Sequence, residues 1–186
     1  MKRFYPDFES IQAFTLSLDY HQNELTCVHC SKSDQFVSHG IIYKQRSSVL
    51  ADKVGKRLFC SNRYGRSGCG RTFQLYVASE VPAFRYGAAH LFIFITALVA
   101  KVGISEAYHQ ATGQLETRNA WRWLNRLMFK LSHYRSVLKY RKDDLLNSFR
   151  SSSHYCQHLL PTLTRLFTST KNGCIHYQTD QQQSFL

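Results

Sequence analysis

The chain has 186 residues, 44% of them hydrophobic and 14% aromatic, which is enough apolar material for one or two packed units and too much for a disordered tail. Lysine and arginine number 24 against 12 acids, a formal charge of +12 for which a phosphate backbone is the natural counterpart. The excess is uneven: residues 27–150 hold twenty of the basic residues and seven of the acids.

Residues 1–24 form a lead-in where Phe8, Ile11, Phe14, Leu16 and Leu18 mix helical and strand spacing, so no element is assigned there. No long apolar run follows Met1–Ser10, and no secretory signal is read. From 25 to 80 the pattern turns to short β-type runs, 35–42 and 72–77, separated by Ser, Gly, Lys and Arg. Pro82 then suits the first turn of a helix, expected over about 83–102 and ended by Gly103. Its apolar core, Leu91 to Ala100, is about half of the roughly 20 residues that a membrane span needs, so no membrane partner is expected. Helices follow over 105–111 and from Thr117 to about Tyr140, and another is expected over 143–149. Ser151–Ser153 reads as a link and 159–167 as a short helix, and 171–186 as a polar tail with three consecutive glutamines. The fold class is therefore α+β: a small β unit at 25–80, a helical domain at 82–142 and a helical C-terminal extension over 143–186.

Cysteine supplies the sharpest signal. Cys27-Val-His-Cys30 is a C-x-x-C pair, and Cys60 and Cys69 form a second pair separated by eight residues that include Gly65 and Gly68. Tetrahedral zinc takes four soft ligands gathered by tight turns at the ends of β-hairpins, and the interval from Cys30 to Cys60 leaves room for such a hairpin. Six cysteines without a leader favour metal over disulfides, so one structural Zn2+ held by Cys27, Cys30, Cys60 and Cys69 is expected. The loop 61–68 must then bulge outward, which its glycines permit. A redox pair of Cys27 and Cys30 is the competing reading; His29 and His39 are substitutes for one thiol, each more often a surface histidine. Cys156-Gln-His158 and Cys174-Ile-His176 carry only the weak C-x-H signal for a second site.

The next constellation is a helix pair. Ala107 is small where two helices must pass, Thr112-Gly113 supplies a turn, and Thr117 is placed to cap the following helix. On that helix Ala120, Trp121, Leu124, Leu127, Met128 and Leu131 give a buried stripe. Arg118, Arg122, Arg126 and Lys130 stand four apart along another face, with Asn119 and Asn125 beside them. In a recognition helix the first residues meet base edges and later basic groups meet phosphates. Arg118 and Asn119 are therefore the candidates for bases, and Arg122, Arg126 and Lys130 for phosphates. A solvated amphipathic face is the bland alternative.

Leu58-Phe59-Cys60 followed by Gly68-Cys69-Gly70-Arg71-Thr72-Phe73 resembles the end of the zinc ribbon of bacterial insertion-sequence transposases. Cys27-Val-His-Cys30-Ser and Val37-Ser38-His39-Gly40 resemble the first half of those ribbons, and Ala120-Trp121-Arg122-Trp123-Leu124 resembles the family's recognition helix. The likeness covers about residues 25–130 and departs at the eight-residue gap. It implies a zinc ribbon followed by a helix-turn-helix that binds double-stranded DNA of a mobile element, in the cytoplasm at the nucleoid. A homodimer and a separate recombinase are the protein partners this allows. No catalytic residues are assigned: beyond the basic helix the acids are Asp143, Asp144 and Asp180, and three separated carboxylates for two-metal phosphoryl transfer cannot be assembled from them. A transcriptional regulator built from the same modules, and a ribbon adaptor binding protein or RNA, are the alternatives.

Overall fold

The computed structural model describes residues 3–20, 25–45, 51–138, 155–169 and 173–186. Among them the fold is α+β, a four-stranded sheet and seven helices. The chain divides into two compact units, Met1–Arg85 with Gln178–Gln183 and Tyr86–Tyr177 with Ser184–Leu186.

In the first unit the strands β1 (Phe4–Tyr5), β2 (Phe36–Gln45), β3 (Ala51–Cys60) and β4 (Thr72–Val77) lie in the order β1-β4-β3-β2. β3 pairs antiparallel with both β2 and β4, and β1 adds parallel to β4. The lead-in therefore belongs to the sheet unit. Its helix α1 (Phe8–Tyr20) starts where the Asp7 carboxylate accepts the Ser10 N–H at 2.7 Å, a side-chain cap that also lowers the Asp7 pKa. Ile11, Thr15 and Leu18 recur at helical spacing and are buried. They close one face of the sheet over Phe36, Leu58, Cys60 and Leu75. Because side chains alternate across a strand, Val37 and Phe59 point to the opposite face, which α1 does not cover. β2 extends to Gln45 beyond the expected 35–42, and its register shifts between Ser38 and Ile41, where Gly40 has φ +103.

β3 was not singled out by its sequence. Its core-facing residues are sparse, and at Gly55 a Cβ would lie 2.1 Å from the Leu75 carbonyl oxygen. Backbone meets backbone there, so the absent side chain is what admits β4. At the edge of this unit Lys44 pairs with Glu80 at 2.9 Å with both side chains largely buried, and Gln178 Nε2 donates to the carbonyls of Ala78 and Glu80.

The second unit holds α2 (Ala88–Val99), α3 (Ile104–Thr112), α4 (Thr117–Phe129), α5 (Leu131–Val137), α6 (Tyr155–Ser169) and most of α7 (Gly173–Gln181). α2 starts five residues after the expected Ala83, because Ala83 itself takes φ +56 and Gly87 forms the cap. The single helix expected from Thr117 to Tyr140 is interrupted at Lys130, and residues 139 and 140 lie outside the described range. The helix expected over 143–149 and the link at 151–153 also lie outside it. The C-terminal stretch is not a polar tail. Tyr134, Tyr177 and Phe185 form a buried aromatic cluster with ring centroids 4.9–5.6 Å apart, and the Tyr134 hydroxyl donates to the Phe185 carbonyl at 2.5 Å. Burial holds the Tyr134 hydroxyl well above its ordinary pKa.

Candidate metal centre and basic helix

The first C-x-x-C folds as a tight turn between Cys27 and Ser31. Ser31 N–H donates to the Cys27 carbonyl at 2.8 Å, Ser31 has φ +56, and the His29 N–H points at Cys27 Sγ at 3.4 Å. The second pair solves its long gap by pinching the loop off at its base. Gly68 N–H donates to the Ser61 carbonyl at 2.7 Å, Gly70 N–H to the Cys60 carbonyl at 2.9 Å, and Cys60 N–H to the Arg71 carbonyl at 2.9 Å. Cys69 N–H then meets Cys60 Sγ at 3.3 Å, the N–H···S contact that the first pair makes within two residues. Glycine is required at the pinch: a Cβ on residue 68 would stand 2.4 Å from the Ser61 oxygen and 2.7 Å from Cys60 Sγ. Residues 62–67 are thereby looped out, with Tyr64 (φ +54) and Gly65 (φ +80) at the tip.

Both turns bring the four thiols together. Cys27 Sγ lies 3.7 Å from Cys69 Sγ, Cys30 Sγ lies 3.8 Å from Cys60 Sγ, and all four sulfurs fall within 4.8 Å of one another. These are not disulfides, whose sulfurs stand about 2.05 Å apart. A tetrahedron of sulfurs at the zinc–thiolate distance of about 2.3 Å has an edge of about 3.8 Å. The sulfurs thus already stand near the spacing that a tetrahedral thiophilic ion imposes, and this group could hold a metal ion. Among the described residues it is the group of its kind. Burial pushes the thiol of Cys60 up to about 12; at Cys27 burial acts the same way but is outweighed by the His29 and Cys30 N–H groups and the neighbouring thiols, which bring it down to about 7.

The histidines stand outside this group. His29 Nδ1 contacts Arg71 Nη1 at 2.7 Å and its ring packs on Phe73, while His39 packs on Phe59 at 5.3 Å. Cys174 is buried, which raises its thiol pKa; it joins no metal-type group among the described residues, and the side chain of Cys156 lies outside them.

In the helical unit, α3 ends on Gly113 with φ +69 and its N–H on the His109 carbonyl, the left-handed cap expected of this glycine. α4 begins after Glu116, not on a Thr117 cap: Thr117 is the first helical residue, and no side-chain cap bond is made at this end. The buried stripe is Ala120, Trp123, Leu124 and Leu127. Trp121, expected in that stripe, is 48% exposed, whereas Trp123 is the core indole, ringed by Tyr86, Phe94 and Tyr108 at 5.0–5.3 Å. Met128 and Leu131 are only partly buried.

Arg118, Arg122, Asn125 and Arg126 are exposed on α4, and Phe129, 88% exposed, lies on the same outward face as Trp121. Asn119 is tied into the protein: its amide nitrogen donates to the Glu116 carboxylate and its oxygen accepts from Arg122 at 3.3 Å. Lys130 Nζ reaches the Ser184 carbonyl at 3.4 Å. These two expected contact residues therefore have roles within the fold, while the exposed aromatics, which the sequence reading did not place on this face, are displayed. No helix among the described residues is long and apolar enough to cross a membrane. No protein-family model, no curated protein and no solved structure matches this chain.

Proposed function

We propose that this chain is a zinc-stabilised protein that binds double-stranded DNA through α4, and that it serves a mobile genetic element as a DNA reader without a cutting centre. The observation that carries DNA binding is the outward face of α4. Arg118, Arg122 and Arg126 follow one another at four-residue intervals, and no acid occurs anywhere in the helix. Like charges at that spacing destabilise an isolated helix, whereas a merely solvated face gains by alternating its signs. A run of one sign is accounted for when a polyanion neutralises it. The exposed Trp121 and Phe129 add apolar contact for sugars or thymine methyls. The left-handed turn at Gly113 and the small Ala107, fully buried, suit the close helix pair of a helix-turn-helix.

Zinc is the ion assigned to the four-cysteine group, because four thiolates in a closed tetrahedral set are its structural signature. The group would hold the ends of β2, β3 and β4 together and do no chemistry. The mobile-element role rests on the likeness of Gly68–Phe73 and Ala120–Leu124 to insertion-sequence transposases.

The test is a binding selection on random duplexes with the zinc-loaded full chain, followed by titration at several salt concentrations. An enriched sequence, with affinity falling steeply as salt rises, is the expected result. Protection of terminal inverted repeats in flanking DNA would mark the mobile element, and protection of a lone operator a regulator. Indifference to every duplex at low salt overturns the proposal.

A further inference from the structure

The face of the sheet left open by α1 carries a feature that duplex reading by α4 does not use. Val37 and Phe59 are cross-strand partners there, and the ring of His39 packs on Phe59 at 5.3 Å. The looped-out segment 62–67 stands beside them, placing Arg63, Tyr64 and Arg66 around a cleft of about 390 Å³. That volume lies in the range of small-ligand sites, about 300–1,000 Å³.

We infer that this cleft takes one unpaired nucleotide of a single-stranded nucleic acid, its base against Phe59, His39 and Tyr64 and its phosphate on Arg63 and Arg66. Three features agree on that occupant. The floor is aromatic, the His39 ring tilted 34° against that of Phe59, and bases stack on such rings with little regard to sequence. The lining holds two guanidinium groups, one imidazole and no carboxylate. Arg63 already lies over the Phe59 ring at 6.0 Å, and Arg66 is fixed by donating to the Asp34 carbonyl at 2.8 Å, so both cations are held at the cleft. Tyr64 supplies the clearest sign. The residue is 99% exposed at the tip of the loop, where φ is +54, so an aromatic side chain stands in water beside the cleft. The pinch at Gly68 that completes the four-sulfur group also throws this loop outward, so one local device builds both sites. Uncharged or cationic ligands would leave the two arginines unanswered, and a duplex keeps its bases stacked away from such a cleft.

The test uses the full chain with fluorescein-labelled 12-mers: (dT)12, (dU)12, (rU)12 and a strand of twelve abasic sites carrying the same backbone charge. The parent is expected to bind the base-bearing strands about five- to tenfold tighter than the abasic strand, a modest part of what one stacked base supplies. Tyr64→Ala, which removes no buried side chain because Tyr64 is 99% exposed, is expected to shrink that ratio towards one. Phe59→Leu, which keeps an apolar group on β3, should do the same. Arg63→Ala should weaken every single strand. Comparison of (dU)12 with (rU)12, which differ only in the sugar, tells whether DNA or RNA supplies the nucleotide. An abasic strand bound as well as (dT)12, or a ratio untouched by Tyr64→Ala, overturns the inference. Either result leaves duplex binding through Arg118 and Arg122 to stand or fall on its own selection.

Discussion

Gly68→Ala isolates the step by which an eight-residue gap between cysteines still yields a compact four-sulfur group. The added methyl would stand 2.4 Å from the Ser61 oxygen, 2.7 Å from Cys60 Sγ and 2.8 Å from the Cys60 carbonyl carbon. Two of these atoms are backbone, so no side chain can swing away; the pinch must open. Opening it forfeits the 2.7 Å bond from Gly68 N–H to Ser61 and drags Cys60 Sγ off its position. Overpacking of a rigid site costs about 1–3 kcal/mol. The lost backbone bond adds about 0.5–1.5 kcal/mol. Together they come to about 2–4 kcal/mol, or roughly 30- to 1,000-fold in metal affinity at 1.4 kcal/mol per decade. The assay is Co2+ titration followed by the sulfur-to-cobalt charge-transfer bands, then competition with Zn2+. Gly65→Ala is the control. Unlike Gly68 it has a positive φ, +80, but it meets nothing within 4 Å, so the change should cost only a local backbone penalty of about 1 kcal/mol and keep metal affinity within roughly threefold. If Gly68→Ala binds Co2+ as the parent does, the pinch does not shape the site. If the parent gives no tetrahedral thiolate bands, the metal assignment itself is wrong.

Replacing Cys27 and Cys30 together by Ser should abolish zinc content and unfold the sheet unit, since structural zinc contributes roughly 10 kcal/mol or more of folding energy in small modules; elemental analysis and far-ultraviolet circular dichroism read both. Arg118→Ala should relax sequence preference by about 1–3 kcal/mol. Arg126→Ala should weaken all duplexes alike and lower the salt slope by about one, and identical behaviour of the two variants would refute the division between base and phosphate contacts. Trp123→Ala should destabilise the helical unit by about 3–5 kcal/mol in a denaturant melt, because three rings close on that indole. Trp121→Ala, at the surface, should change stability by no more than about 0.5 kcal/mol while weakening DNA binding. Equal melts for the two tryptophan variants would contradict the assignment of the core face.

The two indoles also show how far periodicity reaches. Position 123 follows Ala120 by three and precedes Leu127 by four, so it sits on the helical stripe better than position 121 does. The signal was in the chain, and the rings from Tyr86, Phe94 and Tyr108 make it plain. The displayed aromatics Trp121 and Phe129 were harder to find, since a large apolar side chain reads as core until the surrounding elements are seen to leave it uncovered. β3 escaped for the opposite reason. It is an interior strand, yet its glycine packs backbone on backbone and its lysines thin the alternation.

What residue order alone determined is local. Two cysteines with two residues between them can share one ion, Gly113 can end a helix in the left-handed region, and arginines four apart share a ribbon of helix surface, because each depends on bonds and dihedral angles within a few neighbours. Which chains of contact close over longer distances only the tertiary structure decided. The lead-in became a strand and a helix of the sheet unit, and the supposed tail brought Tyr177 and Phe185 into an aromatic core. The eight-residue loop folded back so that Cys69 meets Cys27, 42 positions away in the chain. Such pairings depend on which buried surfaces fit one another across the fold, and no window along the chain contains both partners.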